Sequence, residues 1–303
     1  ARLRFLGEID LKVVAKGIIV LGLCAAVNAN ADDNGEYIGD DVKNLPLFDA
    51  HIHYKEPAWG PYPPKAIVKM MDETGVAMGL VSSTPDAGTI TLWQYAPNRI
   101  VPEVRPYHGD AGSSNWTEAP GMFEYLMGRL DQYPHVGIGE FHLHNVPKDK
   151  TLLRKIAATA KRRDLYIHVH SGKEPVDFLF ELEPDLKILW AHAGMSESAM
   201  TVEAMLERYA TLYADTSYRE HDILRSDGTI DPDWRRVLER FSDRFMVGSD
   251  TWVNGQWDDY HHLIALNRKW LSQFPRDVAE RIAFKNAERL FGRKVSKDLF
   301  GKR

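Results

Sequence analysis

The sequence is poor in cysteine: of 303 residues only Cys24 is one. It lies in an N-terminal segment that we expect to be removed, so the mature chain could form no intramolecular disulfide. It could also offer no thiolate to a metal ion. Any metal site must therefore be built from His, Asp and Glu side chains.

The sequence also lacks a hydrophobic run long enough to span a membrane. The uncharged run Gly17–Val27 has eleven residues, too few for a stable transmembrane helix. Basic residues precede it, and Ala29–Ala31 and then Asp32 follow it. This order is typical of a secretory signal peptide over residues 1–31, with a disordered tail or a buried helix as the alternative. We expect a periplasmic or secreted protein with one domain over residues 32–303.

Basic residues are few and form no long run. Cleavage after residue 31 would take four of the 38 basic and two of the 43 acidic residues, which leaves 34 against 41 and a formal charge of −7. An acidic chain of this kind is a poor candidate for binding nucleic acid or anionic membranes. We therefore expect a small-molecule substrate and no stable membrane anchor after cleavage. Homo-oligomerisation stays open.

Eight β-rich runs alternate with helical segments along the chain. The runs cover Leu45–His51, Val76–Val81, Ile100–Tyr107, Val136–Glu140, Leu165–His170, Lys187–His192, Leu212–Thr216 and Arg244–Asp250. Segments with helical spacing of apolar residues cover Lys65–Glu73, Trp116–Leu130, Thr151–Arg163, Ser196–Tyr209, Asp233–Phe241, Trp257–Trp270 and Arg276–Phe291. This alternation predicts a (β/α)8 TIM barrel with an additional C-terminal helix. An open doubly wound sheet is the alternative, but it needs a glycine-rich turn after its first strand, where this chain has histidines.

Ligand-type side chains lie where the predicted strands end, which is the catalytic face of such a barrel. His51 and His53 are two residues apart and share one face of a strand. The other candidates at strand ends are Glu140, His170, His192 and Asp250. Each alone could be a structural polar residue. His168 is expected one layer deeper, and His142 and His144 are interpreted as loop residues.

Five motifs in this order resemble the amidohydrolase superfamily, specifically its amidohydrolase-related branch of metal-dependent TIM-barrel hydrolases. They are DAHIH at 49–53, HVHSG at 168–172, WAHAG at 190–194, GSDTW at 248–252 and NAERLFG at 286–292. The resemblance implies that His51, His53, His170 and Asp250 hold a catalytic metal. It makes His192 a ligand of a second metal or a group that orients water or substrate. Glu140 stands where many relatives with two metals have a carboxylated lysine, so the count of one or two ions stays open.

The activity expected from this resemblance is hydrolysis of an amide, ester or lactone bond. Asp250 would accept and return a proton, and His192 would help to stabilise the developing oxyanion. Zinc is the expected divalent metal, with manganese and iron as alternatives. Decarboxylation, a nucleic-acid phosphodiesterase activity suggested by Glu140, and a ligand-binding barrel without catalysis are the alternative functions. The acidic chain disfavours the phosphodiesterase.

Three further side chains are candidates for substrate binding. Arg105 and Arg219 follow the third and seventh strands and could hold a substrate carboxylate, although structural ion pairs are the alternative. Trp252, with Trp59 and Trp257, lies in loops after the eighth and first strands and could form an aromatic wall of the pocket or pack in the core.

Overall fold

The computed structural model describes residues 44–295. The predicted signal peptide, with Cys24, lies outside the described residues and stays a prediction. Eight strands are present: β1 (Leu47–Ile52), β2 (Val76–Val81), β3 (Ile100–Pro102), β4 (Gly137–His142), β5 (Tyr166–His170), β6 (Lys187–Trp190), β7 (Leu212–Asp215) and β8 (Phe245–Met246). The helices are α1 (Glu56–Trp59), α2 (Pro64–Thr74), α3 (Ala87–Tyr95), α4 (Met122–Gln132), α5 (Thr151–Arg163), α6 (Lys173–Leu182), α7 (Ala199–Arg208), α8 (Glu220–Ile223), α9 (Pro232–Arg240), α10 (Asn254–Asp258), α11 (Tyr260–Leu271), α12 (Arg276–Glu280) and α13 (Asn286–Phe291).

All eight strands run parallel and follow chain order around the fold. The ladders join β1 to β3 in one sheet and β4 to β8 in a second. A parallel bridge between Val104 and Ile138 connects the two sheets on one side. On the other side Ala50 N donates to Val247 O at 2.9 Å. These contacts link the sheets at both edges, and the predicted (β/α)8 barrel is confirmed.

Most predicted elements lie where the sequence places them, and the differences have local causes. Helix α5 has the predicted bounds, whereas β3 and β8 are shorter than their apolar runs. Helix α3 was not predicted, because its sequence AGTITLWQY is uncharged and rich in residues that favour strands. Helix α6 was also missed: it has Pro175 in its first turn, where proline is tolerated, and buries Phe178 and Phe180.

The C-terminal segment closes the end of the barrel where the strands begin. It forms α12, a single π-helical turn over Arg281–Lys285, and then α13. The ring of Phe291 lies 5.2 Å from that of Phe48 and 5.0 Å from that of Tyr166, centroid to centroid. Asn286 Nδ2 donates to the carbonyl oxygens of Ser242 and Phe245. The additional C-terminal helix is therefore present, and it packs opposite the strand ends that carry the candidate ligands.

No helix within residues 44–295 combines the length and hydropathy that crossing a bilayer requires.

Candidate active site

The strand ends bring six predicted ligand side chains into one cluster. These are His51, His53, Glu140, His170, His192 and Asp250. The Nε2 atoms of His51 and His53 lie 3.1 Å apart, as expected of residues that share one face of a strand. His192 Nε2 lies 3.2 Å from His170 Nδ1. Side chains from β1, β4, β5 and the turns after β6 and β8 thus meet at the mouth of the barrel.

Hydrogen bonds at the outer nitrogens orient three of these imidazoles. His53 Nδ1 lies 2.6 Å from Ser82 O, and His192 Nδ1 lies 3.1 Å from Ser217 O. A carbonyl only accepts, so both Nδ1 atoms carry the proton. His51 Nδ1 faces Asp215 Oδ2 at 3.3 Å and is held in the same way. Each of the three Nε2 atoms therefore directs a lone pair into the cluster.

Two buried carboxylates complete the cluster. Asp250 Oδ1 lies 3.2 Å from His53 Nε2 and 3.5 Å from His51 Nε2. Glu140 Oε2 lies 3.4 Å from His53 Nε2, and its Oε1 lies 2.8 Å from His170 Nδ1. Both oxygens of each carboxylate are close to imidazole nitrogens, an arrangement that suits a shared cation.

The donor set fits a divalent metal ion. Facing lone pairs at 3.1 Å on His51 and His53 repel each other unless a proton or a cation lies between them. Imidazole nitrogens with carboxylate oxygens are the usual ligands of zinc and similar ions. Of the three candidate ligand triads that include His51, two lie within this cluster, one with His53 and Glu140 and the other with His192 and Asp250. The cluster can therefore hold at least one ion.

The electrostatics of the cluster keep its carboxylates ionised. Burial alone would raise the pKa of Asp250, but the imidazoles of His51 and His53 beside it lower it to about 2. Burial likewise opposes ionisation of Glu140, yet the surrounding imidazoles of His170, His192 and His53 hold its pKa well below the usual range. Both side chains are thus available as anionic ligands or proton acceptors.

The backbone at two of these positions adopts the left-handed region, which is uncommon for residues other than glycine. The φ angle is 56° at His192 and 50° at Asp250. Asp250 N donates to His51 O at 2.7 Å, which ties this turn to β1. Gly194 follows His192, and a Cβ atom there would lie 2.4 Å from the Trp190 ring. Such conformations cost on the order of 1–3 kcal/mol each and cluster at functional sites.

A chain of buried hydrogen bonds supports the cluster from below. His168 Nδ1 donates to Glu103 Oε1 at 2.9 Å, and its Nε2 faces Asp215 Oδ2 at 3.3 Å. Tyr166 OH donates to the other oxygen of Glu103. Despite burial, Glu103 and Asp215 raise the pKa of His168 to about 10. His168 is therefore a buried cation between two carboxylates, one layer deeper as expected, and Asp215 connects it to His51.

A cavity of about 590 Å³ opens above the cluster. Its lining includes His53, Glu140, His170 and Asp250 together with Lys55, Arg105, Tyr107, His142, Tyr218 and Trp252. A volume of this order suits a small molecule.

The three predicted substrate-binding residues differ in position. Trp252 lines the cavity, is 48% exposed, and donates from Nε1 to Tyr218 OH. Arg105 also lines it, but two of its nitrogens donate to Glu140 at 2.8 Å. Arg219 is not among the lining residues: its guanidinium lies over Trp234 and donates to the Glu197 carbonyl. Its position gives no support to the predicted contact with substrate.

One other position, His142, differs from the sequence interpretation, and for Trp59 and Trp257 the structure decides between the two alternatives. His142 is not a loop residue: it ends β4, lines the cavity and stacks on the His170 ring at 4.2 Å. His144 does lie in the following loop. Trp257 is buried in the core, and Trp59 packs against that core, so neither extends the aromatic wall. Extended pairing of β4 with β5 keeps His142 on the strand.

Several residues of the site were missed from sequence. Asp215 is recognisable as a polar residue at a strand end, but nothing local assigns it a role. Glu103 and Lys55 have no sequence signal that separates them from ordinary loop residues. Their contacts appear only once the strands are assembled into a barrel.

Glu220, at the start of α8, provides a test of the electrostatics near the site. It is 6% exposed, and burial raises its pKa from 4.5 to about 7. The folded protein therefore holds a proton that the unfolded chain releases, so stability falls as pH rises from about 4.5 to 7. We expect Glu220→Gln to stabilise the protein by about 1–3 kcal/mol at pH 8 and by little near pH 4.5.

Urea unfolding of both proteins across this pH range measures the effect. Glu181→Gln, on the exposed side of α6, is the matched control. Equal stability of wild type and Glu220→Gln at pH 8 would contradict the raised pKa.

Comparisons with known proteins give a family and a fold. The family described as Amidohydrolase matches residues 48–293. A solved structure from Acinetobacter baumannii, described as a probable 2-pyrone-4,6-dicarboxylic acid hydrolase with citric acid bound, is 15% identical, with a TM-score of 0.54 over 82% of this chain and 100% of that one. The phosphotriesterase homology protein from Escherichia coli, with phosphate in its active site, is 13% identical, with a TM-score of 0.57 over 83% and 99%. No curated protein matches by sequence.

Proposed function

This chain belongs to the amidohydrolase family, and we propose that it hydrolyses an amide, ester or lactone bond in a small molecule with a divalent metal ion. One observation carries the proposal: three imidazoles, each oriented through its outer nitrogen, converge with two buried carboxylates at the floor of an open cavity. This combination supplies ligands, a proton acceptor and room for a substrate.

His51, His53, His170 and Asp250 would hold the ion, with Glu140 and His192 as further ligands. A bound divalent cation supplies Lewis acidity, which makes water nucleophilic at neutral pH and polarises a carbonyl group. We favour zinc, because a cluster of imidazoles and carboxylates suits it, with manganese or iron as alternatives and one or two ions in the cluster.

Asp250 is the proton carrier in this proposal. Its carboxylate is ionised and borders the cavity, so it can accept a proton as water attacks the substrate carbonyl carbon. When the carbon–nitrogen or carbon–oxygen bond breaks, Asp250 returns that proton to the leaving group. The hydroxyl group of water thereby joins the acyl carbon, and its proton joins the amine or alcohol. Asp250 is then an ionised carboxylate again.

Of the roles expected for His192, the geometry favours that of a ligand or water-orienting group over that of oxyanion stabiliser. Its Nδ1 donates to Ser217 O, so Nε2 carries no proton and cannot donate a hydrogen bond to an oxyanion. The lone pair on Nε2 can instead bind a cation or accept a hydrogen bond from water. His192 therefore fits the role of ligand or water-orienting group. The geometry provides no reason to assign oxyanion stabilisation to it.

Metal removal tests the proposal. Protein purified without added metal is analysed by mass spectrometry for its metal content, treated with a chelator, and reconstituted with zinc, manganese or iron. We expect hydrolysis of at least one member of an ester, lactone and amide panel, lost on chelation and restored by one of the ions. In ¹⁸O-labelled water the acid product gains the label.

Two results would contradict hydrolysis. Carbon dioxide release without label uptake would indicate decarboxylation on the same metal site. Tight metal binding with no turnover across the panel would indicate a barrel that only holds a ligand.

A further inference from the structure

Lys55 is a cation at the wall of the active-site cavity. It follows β1 two residues after His53 and is half-buried among the lining residues. Its Nζ lies 5.6 Å from the centroid of the Trp252 ring. Within residues 44–295, no acidic side chain lies within ion-pair distance of it, and the negative charge that acts on it, that of Asp250, belongs to the ligand cluster. A half-buried ammonium group is seldom left without an anionic partner unless a ligand supplies one.

Arg105 places a second cation beside the same cavity. Its Nε and Nη2 are satisfied by Glu140. Its Nη1 lies 3.4 Å from His53 Nδ1, but that nitrogen carries the proton donated to Ser82 O. Nη1 therefore finds no acceptor there. One guanidinium nitrogen, Nη1, remains available to a group that enters the cavity.

The charges of the cavity do not balance without an anionic ligand. Glu140 and Asp250 are the carboxylates of the lining, and together they neutralise one divalent cation. The positive charges of Lys55 and Arg105 are then left uncompensated. Like charges facing a partly buried space attract an anion into it.

The wall next to Lys55 is aromatic. Trp252 Nε1 donates to Tyr218 OH at 3.1 Å, which holds the two side chains together. Both are substantially exposed, at 48% and 40%, and Met195 adds a further apolar side chain to the lining. A planar or unsaturated group would bury this surface favourably.

We propose that Lys55, with Arg105 beside it, binds a carboxylate group of the substrate, whose planar body lies against Trp252. The substrate class is then a small organic acid that carries the bond to be cleaved in addition to a free carboxylate. The orientation of the bond to be cleaved rests on the proposed hydrolase function. The binding of the carboxylate by Lys55 is independent of that function.

A matched pair of ligands tests the assignment without turnover. Isophthalate and 3-carbamoylbenzoate have the same ring and nearly the same shape, but the second replaces one carboxylate by a neutral amide. Calorimetric titration of zinc-reconstituted protein measures the affinity of each. We expect isophthalate to bind at least about tenfold more tightly, since hydrogen bonds to charged groups are worth this much or more.

Variants at Lys55 then locate the effect. Lys55→Met is expected to abolish the preference for isophthalate, and Lys55→Arg to retain most of it. The control is Lys161→Met, which removes a lysine paired with Asp185 on α5, and it should behave as wild type. A preference that is absent from wild type, or unchanged in Lys55→Met, would overturn the assignment.

The test separates this inference from the proposed function. Protein that binds isophthalate through Lys55 but hydrolyses nothing would support the carboxylate site and contradict the hydrolase. Hydrolysis of neutral lactones that is equal in wild type and Lys55→Met, with no preference between the two ligands, would support the hydrolase and overturn the carboxylate site.

Discussion

Asp250→Asn is expected to lower kcat by roughly 100- to 10,000-fold, the contribution typical of a positioned general base. The amide keeps the size of the carboxylate and one oxygen ligand, but it cannot accept a proton. Asp250 is 6% exposed, so bulk water replaces it poorly. Steady-state kinetics at saturating zinc, with metal content measured on the same sample, separates loss of proton transfer from loss of metal.

Asp259→Asn, an exposed aspartate just before α11, is the matched control and should leave kcat unchanged. If the Asp250→Asn enzyme, with metal bound, turned over substrate at the wild-type rate, another group would have to transfer the proton and the role assigned to Asp250 would be wrong.

Glu103→Gln is expected to destabilise the fold by about 3–5 kcal/mol and to weaken metal binding about 10- to 100-fold. Glu103 is 1% exposed and is the anionic partner of His168. The neutral amide leaves His168 as a buried cation with Asp215 as its remaining partner. Asp215 would be drawn toward His168 and would hold the Nδ1 proton of His51 less firmly, so the ligand nitrogen of His51 would be less well fixed.

Denaturant unfolding and competition with a metal indicator measure the two effects separately. The exposed Glu124 on α4 supplies the control Glu124→Gln, for which we expect a change within about 0.5 kcal/mol and no change in affinity. Loss of stability with an unchanged metal affinity would show that Glu103 stabilises the core but does not position the metal ligands. Wild-type stability and wild-type affinity together would show that the buried hydrogen bonds of Glu103 support neither.

The ligand cluster could be predicted from sequence because each member has a local signal. His51 and His53 share strand parity, and Asp250 ends an apolar run. Parallel strands in a barrel place their carboxyl ends on one face, so residues far apart in the chain could be expected to meet. The same logic located six of the eight strands closely, with β3 reduced to three residues and β8 to two.

The supporting residues could not be predicted, because their roles depend on contacts across the barrel. Glu103 directly follows β3 and contacts a side chain 65 positions further along. In the sequence, Lys55 looks like any lysine in a loop. Its role becomes visible only when the fold places it over Trp252, nearly two hundred residues later in the chain. Arg219 shows the opposite case: it also follows a strand, yet packing on Trp234 takes it away from the cavity.

Arg105 shows how one side chain can serve two purposes. The sequence predicted a substrate contact, and the structure shows that two of its three guanidinium nitrogens donate to Glu140. Substitution of Arg105 would therefore disturb the ligand cluster directly. For this reason Lys55, which touches no ligand residue through a hydrogen bond, is the sharper probe of substrate charge.

The packing of α13 against Phe48 and Tyr166 places this helix at the end of the barrel opposite the cavity. Both partners lie at the beginning of their strands, whereas the cavity lies where the strands end. A linkage placed directly after Val295, the last described residue, would begin on the side of the barrel away from the cavity. Protein immobilised at that position would present its cavity to the solution, which makes it the preferred point of attachment for binding measurements.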